Sequence, residues 1–422
     1  MEIFALSGEP QYRTIDACRL CGARSLTDIL DLGTQPLANS LVDHANGPET
    51  MIPLEMVYCR ECGLAQLSVD VDPTVLFRDY VWVTGTSAST REYCEGLADW
   101  IMDRVAVESP RVFEMASNDG TLLRTLADRG AQVLGIDPAV NLATDATARG
   151  IETIPDFLTP QTAEKIESSR GKFDVVIARN VMSHVPDPLG AIQGLSRLTV
   201  DDGLCLIEFH SAQTILEELH YDSIYHEHTM YHSLQTMRRL MATAGLQAFD
   251  VRRSPISGGS WALLSRKTAI APPMSRALTD ALEADRLSGI ATEAAWVEFG
   301  RRAESHRDQL SREIATLAEA GKPMAAYGAS ARSSTMLNYL GPVVKDLQAI
   351  ADASPLKHGK YSPGVHIPIM SPQSVLELGP QAIVLFAFNF EDEILRFLKD
   401  AGWRGEVVVP FPGDPRVFAL DS

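Results

Sequence analysis

The sequence predicts an α/β protein in which a small cysteine-bearing module precedes two open, doubly wound units. Two Cys-x-x-Cys pairs lie near the N-terminus, a strand–loop–helix–strand pattern runs from Arg111 to Asp137, and a strand–turn–helix pattern follows Gly321. Apolar runs of strand length alternate with helical periodicity in both units, as in a parallel sheet covered by helices. We expect a metal module, a first α/β domain, a helical connector and a second, Rossmann-like α/β domain, at residues 1–75, 76–268, 269–320 and 321–422.

The composition is that of an ordinary globular protein and argues against several classes of partner. Hydrophobic residues make up 45% of the chain, charged residues 22%, and the formal net charge is −18. Binding to nucleic acid or to an anionic membrane needs Lys and Arg to neutralise phosphates. A chain with this much negative charge is poorly suited to either partner. No apolar run has transmembrane length, and the start MEIFALSGEP lacks the features of a signal peptide. We therefore expect a cytoplasmic protein.

Four of the six cysteines form the two Cys-x-x-Cys pairs, and a glycine follows each pair. Four thiolates would close a tetrahedral zinc shell and leave no open position for chemistry. A redox pair, or four unconnected thiols, is the alternative. Residues 22–58 separate the pairs, so we expect an ordered insert between them, while Cys94 and Cys205 stand alone as ordinary packing residues. The expected ligands of a structural zinc ion are Cys18, Cys21, Cys59 and Cys62.

The stretch from Arg111 to Asp137 favours a nucleoside cofactor without a pyrophosphate. Ala116 stands where a G-x-G-x-x-G motif would have its first glycine, so no dinucleotide cradle is apparent. An acid at the end of each strand instead suits S-adenosylmethionine (SAM), whose ribose hydroxyls Asp137 would bind, with Glu114 and the loop at the methionine end. An NAD-type fold is the alternative. The expected SAM-binding residues of this stretch are Glu114, Ala116, Ser117, Asn118, Asp119, Asp137 and Pro138.

The segment FDVVIARNVMSHVPDP, at residues 173–188, strengthens the prediction of SAM. It looks like the fourth strand and following loop of class I methyltransferases. Asn180 follows the strand and is expected near the SAM tail. His184 lies farther along the loop and is expected near the methyl group, although a histidine capping the next helix is the alternative.

The stretch from Ser223 to Ser233, SIYHEHTMYHS, is densely polar. A zinc protease would need H-E-x-x-H, and Met230 occupies the position of the second histidine. His228 and His232 could share one face of a helix as a metal pair, but no third ligand is evident nearby.

Several motifs together resemble the sugar C-methyltransferases of deoxysugar biosynthesis. They are CRxCG, LGxQPLAN, CxxCGLxQL, LFRDYVWVTGTS and YHEH, and the resemblance runs from Cys18 to about Pro412. That family methylates nucleotide-linked keto sugars and makes branched sugars such as mycarose, noviose and tetronitrose. The chain departs from its pattern at Trp82 and at residues 84–86, where a tyrosine and paired serines are common.

The resemblance implies an active site around the keto sugar, with His228 as the general base. Carbon becomes nucleophilic only when a proton alpha to a ketone is removed, and histidine is a common base for this step. The developing oxyanion needs donors, which tyrosine or a second imidazole can supply. Methylation of oxygen needs less of this apparatus, so the polar stretch favours carbon. The implied catalytic residues are Tyr80, His184, Tyr225, Glu227 and His228.

The turn after the second predicted unit's first strand resembles an anion site. Backbone amides and hydroxyls at a helix N-terminus, with an arginine, suit a pyrophosphate, although a simple helix cap is the alternative. The family usually has Lys-Gly where this chain has Arg332-Ser333. His358 and Lys360 could add positive charge nearby. The expected substrate-binding residues are Ser330, Arg332, Ser333 and Lys357.

The connector between the two α/β units is predicted to be helical. Apolar residues recur three to four apart up to Ala320, after a shorter helix over Arg276 to Ser288. Core packing, or the seam of a dimer, would explain this stripe, so we expect a monomer or a homodimer.

Together these patterns predict a zinc-containing, SAM-dependent C-methyltransferase of a nucleotide-linked keto-deoxysugar, most simply dTDP-linked and methylated at C3. A methyltransferase of the same architecture acting on a non-sugar enolisable acceptor or a hydroxyl is one alternative. A non-catalytic zinc scaffold is the other.

Overall fold

The computed structural model describes residues 12–78, 80, 83–256 and 259–421. Trp82, one of the departures from the family pattern, lies outside these residues. The N-terminal module has two small antiparallel sheets, one of strands β1 and β5 and one containing β2, β3 and β4. Its elements are β1 (Tyr12–Thr14), β2 (Leu26–Gln35), β3 (Ile52–Cys59), β4 (Ala65–Leu67), β5 (Val69–Val71) and helix α1 (Pro73–Phe77).

The central domain is an open seven-stranded sheet with helices on both faces. Its strand order is β8-β7-β6-β9-β10-β13-β12, and β13 alone of these seven strands runs antiparallel to the other six. Its elements are α2 (Ala88–Met102), β6 (Arg111–Met115), α3 (Thr121–Ala127), β7 (Gln132–Ile136), α4 (Val140–Ala148), β8 (Thr153–Ile154), α5 (Pro160–Arg170), β9 (Phe173–Arg179), α6 (Pro188–Leu198), β10 (Thr199–His210), α7 (Ala212–Glu217), β11 (Met230–Tyr231), α8 (Leu234–Thr243), β12 (Leu246–Ser254) and β13 (Ser260–Lys267).

The near-continuous apolar runs of the central strands follow from burial on both faces. In β9, Val175 and Ile177 enter one buried cluster, with residues of α2 and α3, whereas Val176 and Ala178 enter another on the opposite face. Strands in a parallel sheet covered by helices show this pattern rather than an alternation of apolar and polar residues. The strand order reverses between β6 and β9, and in such sheets ligands bind at this point, outside the carboxyl ends of the strands.

Strand β11 does not join the central sheet. Met230 and Tyr231 instead pair with Gln66 and Ala65 of β4, in the sheet of the N-terminal module. The polar stretch that contains His228 therefore runs directly into the cysteine-bearing module.

The connector consists of the two helices α9 (Arg276–Leu287) and α10 (Glu293–Glu319). The predicted apolar stripe of α10 is buried within its own chain, from Phe299 to Leu317. Helix α10 packs against β2, and Gly300 permits this approach because a Cβ there would lie 1.9 Å from the carbonyl oxygen of Ile29. Core packing thus accounts for the stripe, and a dimer seam is not needed.

The C-terminal domain is a second open sheet, with strand order β16-β15-β14-β17-β18-β19 and only β19 antiparallel. Its elements are β14 (Met324–Tyr327), α11 (Ala331–Leu340), β15 (Leu347–Ala351), β16 (Ile369–Met370), α12 (Pro372–Glu377), β17 (Ala382–Leu385), α13 (Glu391–Asp400), β18 (Gly405–Val409) and β19 (Arg416–Leu420). The predicted fold class is confirmed. Among the described helices, none has the length and apolarity needed to cross a membrane.

Candidate active site

The four cysteines of the two Cys-x-x-Cys pairs converge on one point. Their Sγ atoms lie within 4.8 Å of one another, with Cys18 3.5 Å from Cys62 and Cys21 3.6 Å from Cys59. Zn–S bonds of about 2.3 Å put tetrahedral thiolates roughly 3.8 Å apart, so the cluster has the dimensions of a four-thiolate zinc shell. Each of these two short distances joins a cysteine of one pair to a cysteine of the other. A redox couple would instead join the two cysteines of one motif.

Each pair is followed by glycine for a conformational reason. Gly22 and Gly63 have φ values of 73° and 77°, in the left-handed region where a Cβ is strained. Their N–H groups donate back to the carbonyl oxygens of Cys18 and Cys59 at 2.8 and 2.9 Å. The resulting tight turns bring the two thiols of each pair together.

A cavity of about 550 Å³ opens at the carboxyl edge of the central sheet, where the strand order reverses. Five of the residues predicted to bind SAM line it. Three of them, Ala116, Asn118 and Asn180, have φ values of 54°, 54° and 49°. Non-glycine residues with such strained backbone conformations cluster at functional sites. The five lining residues are Ala116, Asn118, Asp137, Pro138 and Asn180.

Asp137 holds the cavity loops together. Its carboxylate accepts hydrogen bonds from the backbone N–H groups of Asn118 and Ala139, both at 2.8 Å. Burial raises its pKa, and these two hydrogen bonds act in the opposite direction. The acid is therefore fixed beside the cavity by the backbone of two loops, as a ligand for hydroxyl groups would need to be.

Three other residues predicted to bind SAM lie behind the cavity wall. Glu114 accepts a hydrogen bond from Arg179 Nε at 3.0 Å, and burial raises its pKa to about 7. The Ser117 side chain is buried. Asp119 accepts from the backbone N–H groups of Gly85 and Thr121, so it supports the segment after Tyr80. Arg179 lines the cavity, whereas Glu114 is not among its lining residues.

Three polar or aromatic residues of this cavity that the sequence analysis did not predict are Asp156, Phe157 and Arg179. All lie at or just beyond the carboxyl end of a parallel strand, β8 or β9. Position at a strand end was therefore a usable signal for them.

His228 and Tyr225 form a hydrogen-bonded pair with a defined tautomer. The Ser223 carbonyl oxygen can only accept, so His228 Nδ1 donates to it, at 2.8 Å. In a neutral ring this leaves Nε2 as an acceptor, and the Tyr225 hydroxyl lies 2.9 Å from it. Burial, and secondarily His184, lower the pKa of His228 well below its usual value. The ring is therefore neutral at neutral pH, which is the state a general base requires.

Glu227 lies beside this pair and is nearly fully buried, at 4% exposure. Its Oε1 accepts from Asn39 Nδ2 at 2.6 Å, and its Oε2 accepts from the Tyr80 hydroxyl at 3.2 Å. Burial raises the pKa of Glu227 to about 7, and the two hydrogen bonds oppose that rise. Asn39, from the insert of the N-terminal module, was not among the predicted site residues.

His184 connects the reactive cluster to the cavity. Its ring meets that of His228 edge to face, with centroids 4.8 Å apart, and it also lines the cavity, as Tyr80 does. Burial lowers its pKa to about 4. The N-cap of helix α6 is Asp187, so His184 is not the cap considered from the sequence. All five predicted catalytic residues therefore lie in one contiguous cluster.

His232 is not part of this cluster. It is fully buried, packs against Phe209 with ring centroids 6.3 Å apart, and lies 3.3 Å from the Thr236 hydroxyl. Within residues 12–78, 80, 83–256 and 259–421, the only group arranged to hold a metal is the set of four cysteines. The structure thus gives no support to a metal pair of His228 and His232.

The predicted anion turn of the C-terminal domain is occupied by internal contacts. Ser330 and Ser333 form a capping box at the start of α11, as the simple-cap alternative expected. Arg332 donates through Nε and Nη2 to Asp222 at 2.7 and 2.8 Å. Lys357 donates to the Ala329 carbonyl and to Asp352. An incoming phosphate would have to compete with these carboxylates.

Of the two cations considered nearby, His358 contacts the Asp352 carbonyl oxygen at 2.8 Å, and Lys360 lies 3.8 Å from Asp43. Both groups are therefore engaged within the chain.

Comparison with known proteins shows the family to which the chain belongs. It is 34% identical over 418 residues to the C-methyltransferase NovU of Streptomyces niveus, covering 97% of this chain and 98% of that protein. The chain belongs to this C-methyltransferase family. Three family profiles match it, described as a zinc binding domain, a methyltransferase domain and a C-methyltransferase C-terminal domain, at residues 18–77, 89–251 and 255–412.

Two further similarities are confined to part of the chain. A ubiquinone biosynthesis O-methyltransferase of Hahella chejuensis is 32% identical over 24% of this chain and 43% of its own length. The SAM-bound magnesium protoporphyrin IX methyltransferase of Synechocystis PCC 6803 has 17% identity, covers 42% of this chain and 80% of that one, and has a TM-score of 0.33.

The C-methyltransferase is therefore a SAM-dependent enzyme that carries a zinc-binding module, and the resemblance found in the sequence is confirmed. SAM, when bound, supplies an electrophilic methyl group, and the strand-end cavity has the acid and loop amides that suit it. Zinc, when bound by four thiolates, links the two cysteine pairs. Membership of an enzyme family leaves the non-catalytic scaffold without support.

Proposed function

We propose that this C-methyltransferase acts on a nucleotide-linked keto-deoxysugar, dTDP-linked and methylated at C3, with His228 as the general base. The proposal rests chiefly on the chain of contacts from the Ser223 carbonyl through His228 to Tyr225. It orients Nε2 of a neutral imidazole as a proton acceptor beside the wall of the cavity. Methylation of a carbon needs such an acceptor, because the carbon is not nucleophilic before deprotonation.

The first step is enolisation of the keto sugar. The bond between the alpha carbon and its hydrogen breaks, the proton passes to His228 Nε2, and the electron pair moves to the carbonyl oxygen. Tyr225 must leave Nε2 for this to happen, and its hydroxyl is then free to donate to the developing oxyanion. Tyr80 and His184 are further groups of the cluster at the cavity and share that role. The enolate carbon would then form a bond to the methyl group of SAM as the methyl–sulfur bond breaks, which would leave S-adenosylhomocysteine and re-form the sugar carbonyl.

Glu227 would hold the substrate or the Tyr80 hydroxyl in place. A buried carboxylate that accepts from two neutral donors is a strong acceptor, and a sugar hydroxyl is a suitable third donor. Family membership and the neutral, oriented His228 support carbon as the acceptor. The nature of the sugar is supported by the sequence motifs alone.

The nucleotide would lie toward the C-terminal domain, with contacts from Ser330, Arg332, Ser333 and Lys357. Arg332 is the member of this set that reaches the catalytic segment, through its ion pair with Asp222. Binding of a diphosphate would therefore require these cations to exchange carboxylate partners for phosphate oxygens. A non-sugar enolisable acceptor, or a hydroxyl acceptor, is the competing function, and calorimetry with nucleotide sugars separates the two.

Deuterium exchange tests the enolisation step directly. The enzyme is incubated with dTDP-4-keto-deoxysugars in D₂O without SAM, and the sugars are analysed by mass spectrometry. We expect exchange at one carbon, C3. No exchange with any of these sugars would overturn the proposed substrate class.

The matched variants are His228→Asn and His44→Asn. Loss of a general base costs about 10²- to 10⁴-fold in rate, so we expect exchange and turnover to fall by that factor in His228→Asn while SAM affinity is kept. His44 is exposed in the insert, and its variant should behave as the wild type. An active His228→Asn enzyme would show that another group is the base.

A further inference from the structure

The insert between the two cysteine pairs reaches into the active site at Asn39. This residue lies in the short turn after β2, where Ser40 N–H donates to the Leu37 carbonyl and Leu41 N–H to the Asn39 carbonyl. Its amide Nδ2 is 2.6 Å from Oε1 of Glu227. An ionised carboxylate only accepts hydrogen bonds, so the amide presents its N–H group to it.

The two hydrogen bonds to Glu227 come from different parts of the chain. Asn39 belongs to the cysteine-bearing module, whereas Tyr80 belongs to the segment that lines the cavity. Neither donor carries a charge. Burial is therefore the main cause of the raised pKa of Glu227. The Asn39 amide is one of the two contacts that favour the ionised form.

Among the described residues, two tyrosines and one histidine are titratable side chains that interact with Glu227. Tyr80 and Tyr225 interact with its carboxylate electrostatically, and burial raises the pKa of both phenols. His184 contacts its backbone carbonyl and is neutral at neutral pH, because burial lowers the pKa of the ring. Unlike these three side chains, the Asn39 amide does not titrate. Replacing it therefore removes a hydrogen bond to Glu227 without removing a titratable group.

The insert that carries Asn39 is held in place on both sides. Val42 of the insert exchanges two backbone hydrogen bonds, at 2.8 and 3.1 Å, with Tyr361 of the C-terminal domain. The Glu49 carboxylate accepts from the Gly364 N–H at 2.9 Å and contacts His366. The cysteine pairs anchor the two ends of the insert. The position of the Asn39 amide is therefore set by the module and the C-terminal domain together.

We propose that Asn39 is a positioning residue that orients Glu227 and favours its ionised form, so that the zinc module completes the active site. The inference rests on the proposed function in that Glu227 serves catalysis as a carboxylate. It gives the metal module a direct part in activity as well as in folding.

The test compares Asn39→Leu with Asn46→Leu. Leucine is close to asparagine in size and cannot donate, and Asn46 is an exposed asparagine of the same insert. A hydrogen bond to a charged group is worth roughly ten- to hundred-fold in rate, so we expect kcat at pH 7 to fall by that factor in Asn39→Leu alone. The loss should shrink toward pH 9, because the acid limb of the pH profile moves to higher pH when the ionised form loses a donor. SAM affinity and zinc content should stay within twofold.

A measurement without substrate separates this inference from the proposed function. Carboxyl ¹³C NMR of glutamate-labelled protein, with Glu227→Gln to assign the signal, follows the ionisation of Glu227 in each variant. A titration midpoint that moves upward in Asn39→Leu supports the inference even if no keto sugar is turned over, in which case only the substrate assignment fails. An unmoved midpoint, or a loss of activity equal at every pH, would overturn it.

Discussion

The two α/β domains have the same local plan at the carboxyl edge of their sheets and use it differently. In the central domain, Asp137 follows the second strand and accepts from Asn118 N–H and from Ala139 N–H, two residues later. In the C-terminal domain, Asp352 follows the second strand and accepts from Ala329 N–H and from Ser354 N–H, also two residues later.

The surroundings of this acid and its loop differ between the two domains. The central loop opens a cavity beside Asp137. In the C-terminal domain, Lys357 neutralises Asp352, and Gly328 lies so close to β17's following loop that a Cβ there would be 2.6 Å from Ala387 Cβ. Arg332, in the first turn of the next helix, crosses to Asp222 of the central domain. The topology thus provides an acid at a switch point in both domains, and the side chains decide whether it faces a ligand or another domain.

The largest effect is expected from a variant that breaks the contact between the two domains. Arg332→Met keeps much of the side-chain volume but leaves Asp222, which is 0% exposed, without its partner. Removing one member of a buried ion pair costs about 3–5 kcal/mol. We expect the free energy of unfolding in urea to fall by that amount.

The control for this variant is Arg416→Met, which removes the exposed ion pair with Glu391. It should cost less than about 1 kcal/mol, since exposed pairs contribute little. Equal losses in the two variants would mean that the pair with Asp222 does not join the domains energetically.

The next effect compares the two acids. Asp137→Asn should weaken SAM binding about ten- to hundred-fold, because an acceptor at the cavity is replaced by a group that also donates. Asp352→Asn should leave the SAM dissociation constant within about twofold. Isothermal calorimetry of both variants decides between the roles, and a weakened Asp352→Asn with a normal Asp137→Asn would reverse the assignment of the two domains.

The smallest effect concerns the stability cost of Glu227. Its pKa is raised by burial to about 7, above the value of an unfolded chain, so the folded protein binds this proton more tightly. The resulting stabilisation is present below about pH 4 and is lost as pH rises through 7. Glu227→Gln, which does not titrate, should therefore gain about 1–2 kcal/mol over the wild type at pH 8. Urea unfolding at pH 5 and pH 8 measures this difference, and a gain that is the same at both pH values would contradict it.

Much of the site was accessible from sequence because its residues follow strand ends or lie in one short motif. Asp137 and Asn180 each directly follow a strand of the central sheet, and Tyr225, Glu227 and His228 are close in the chain. Asn39 was not accessible in this way, because it lies 188 residues from its partner Glu227. The ion pair of Arg332 with Asp222, 110 residues apart, was missed for the same reason.

Local patterns in the sequence determined the elements, the two sheets, the thiol pairs and the composition of the reactive cluster, because hydrophobic periodicity and motif spacing act over a few residues. Tertiary structure alone decided which charged group meets which. It placed Arg179 rather than Glu114 at the cavity, turned Arg332 toward Asp222, and brought Asn39 to Glu227. Pairing of buried polar groups depends on the final packing of distant segments, and the cost of leaving any of them unpaired is what makes that packing selective.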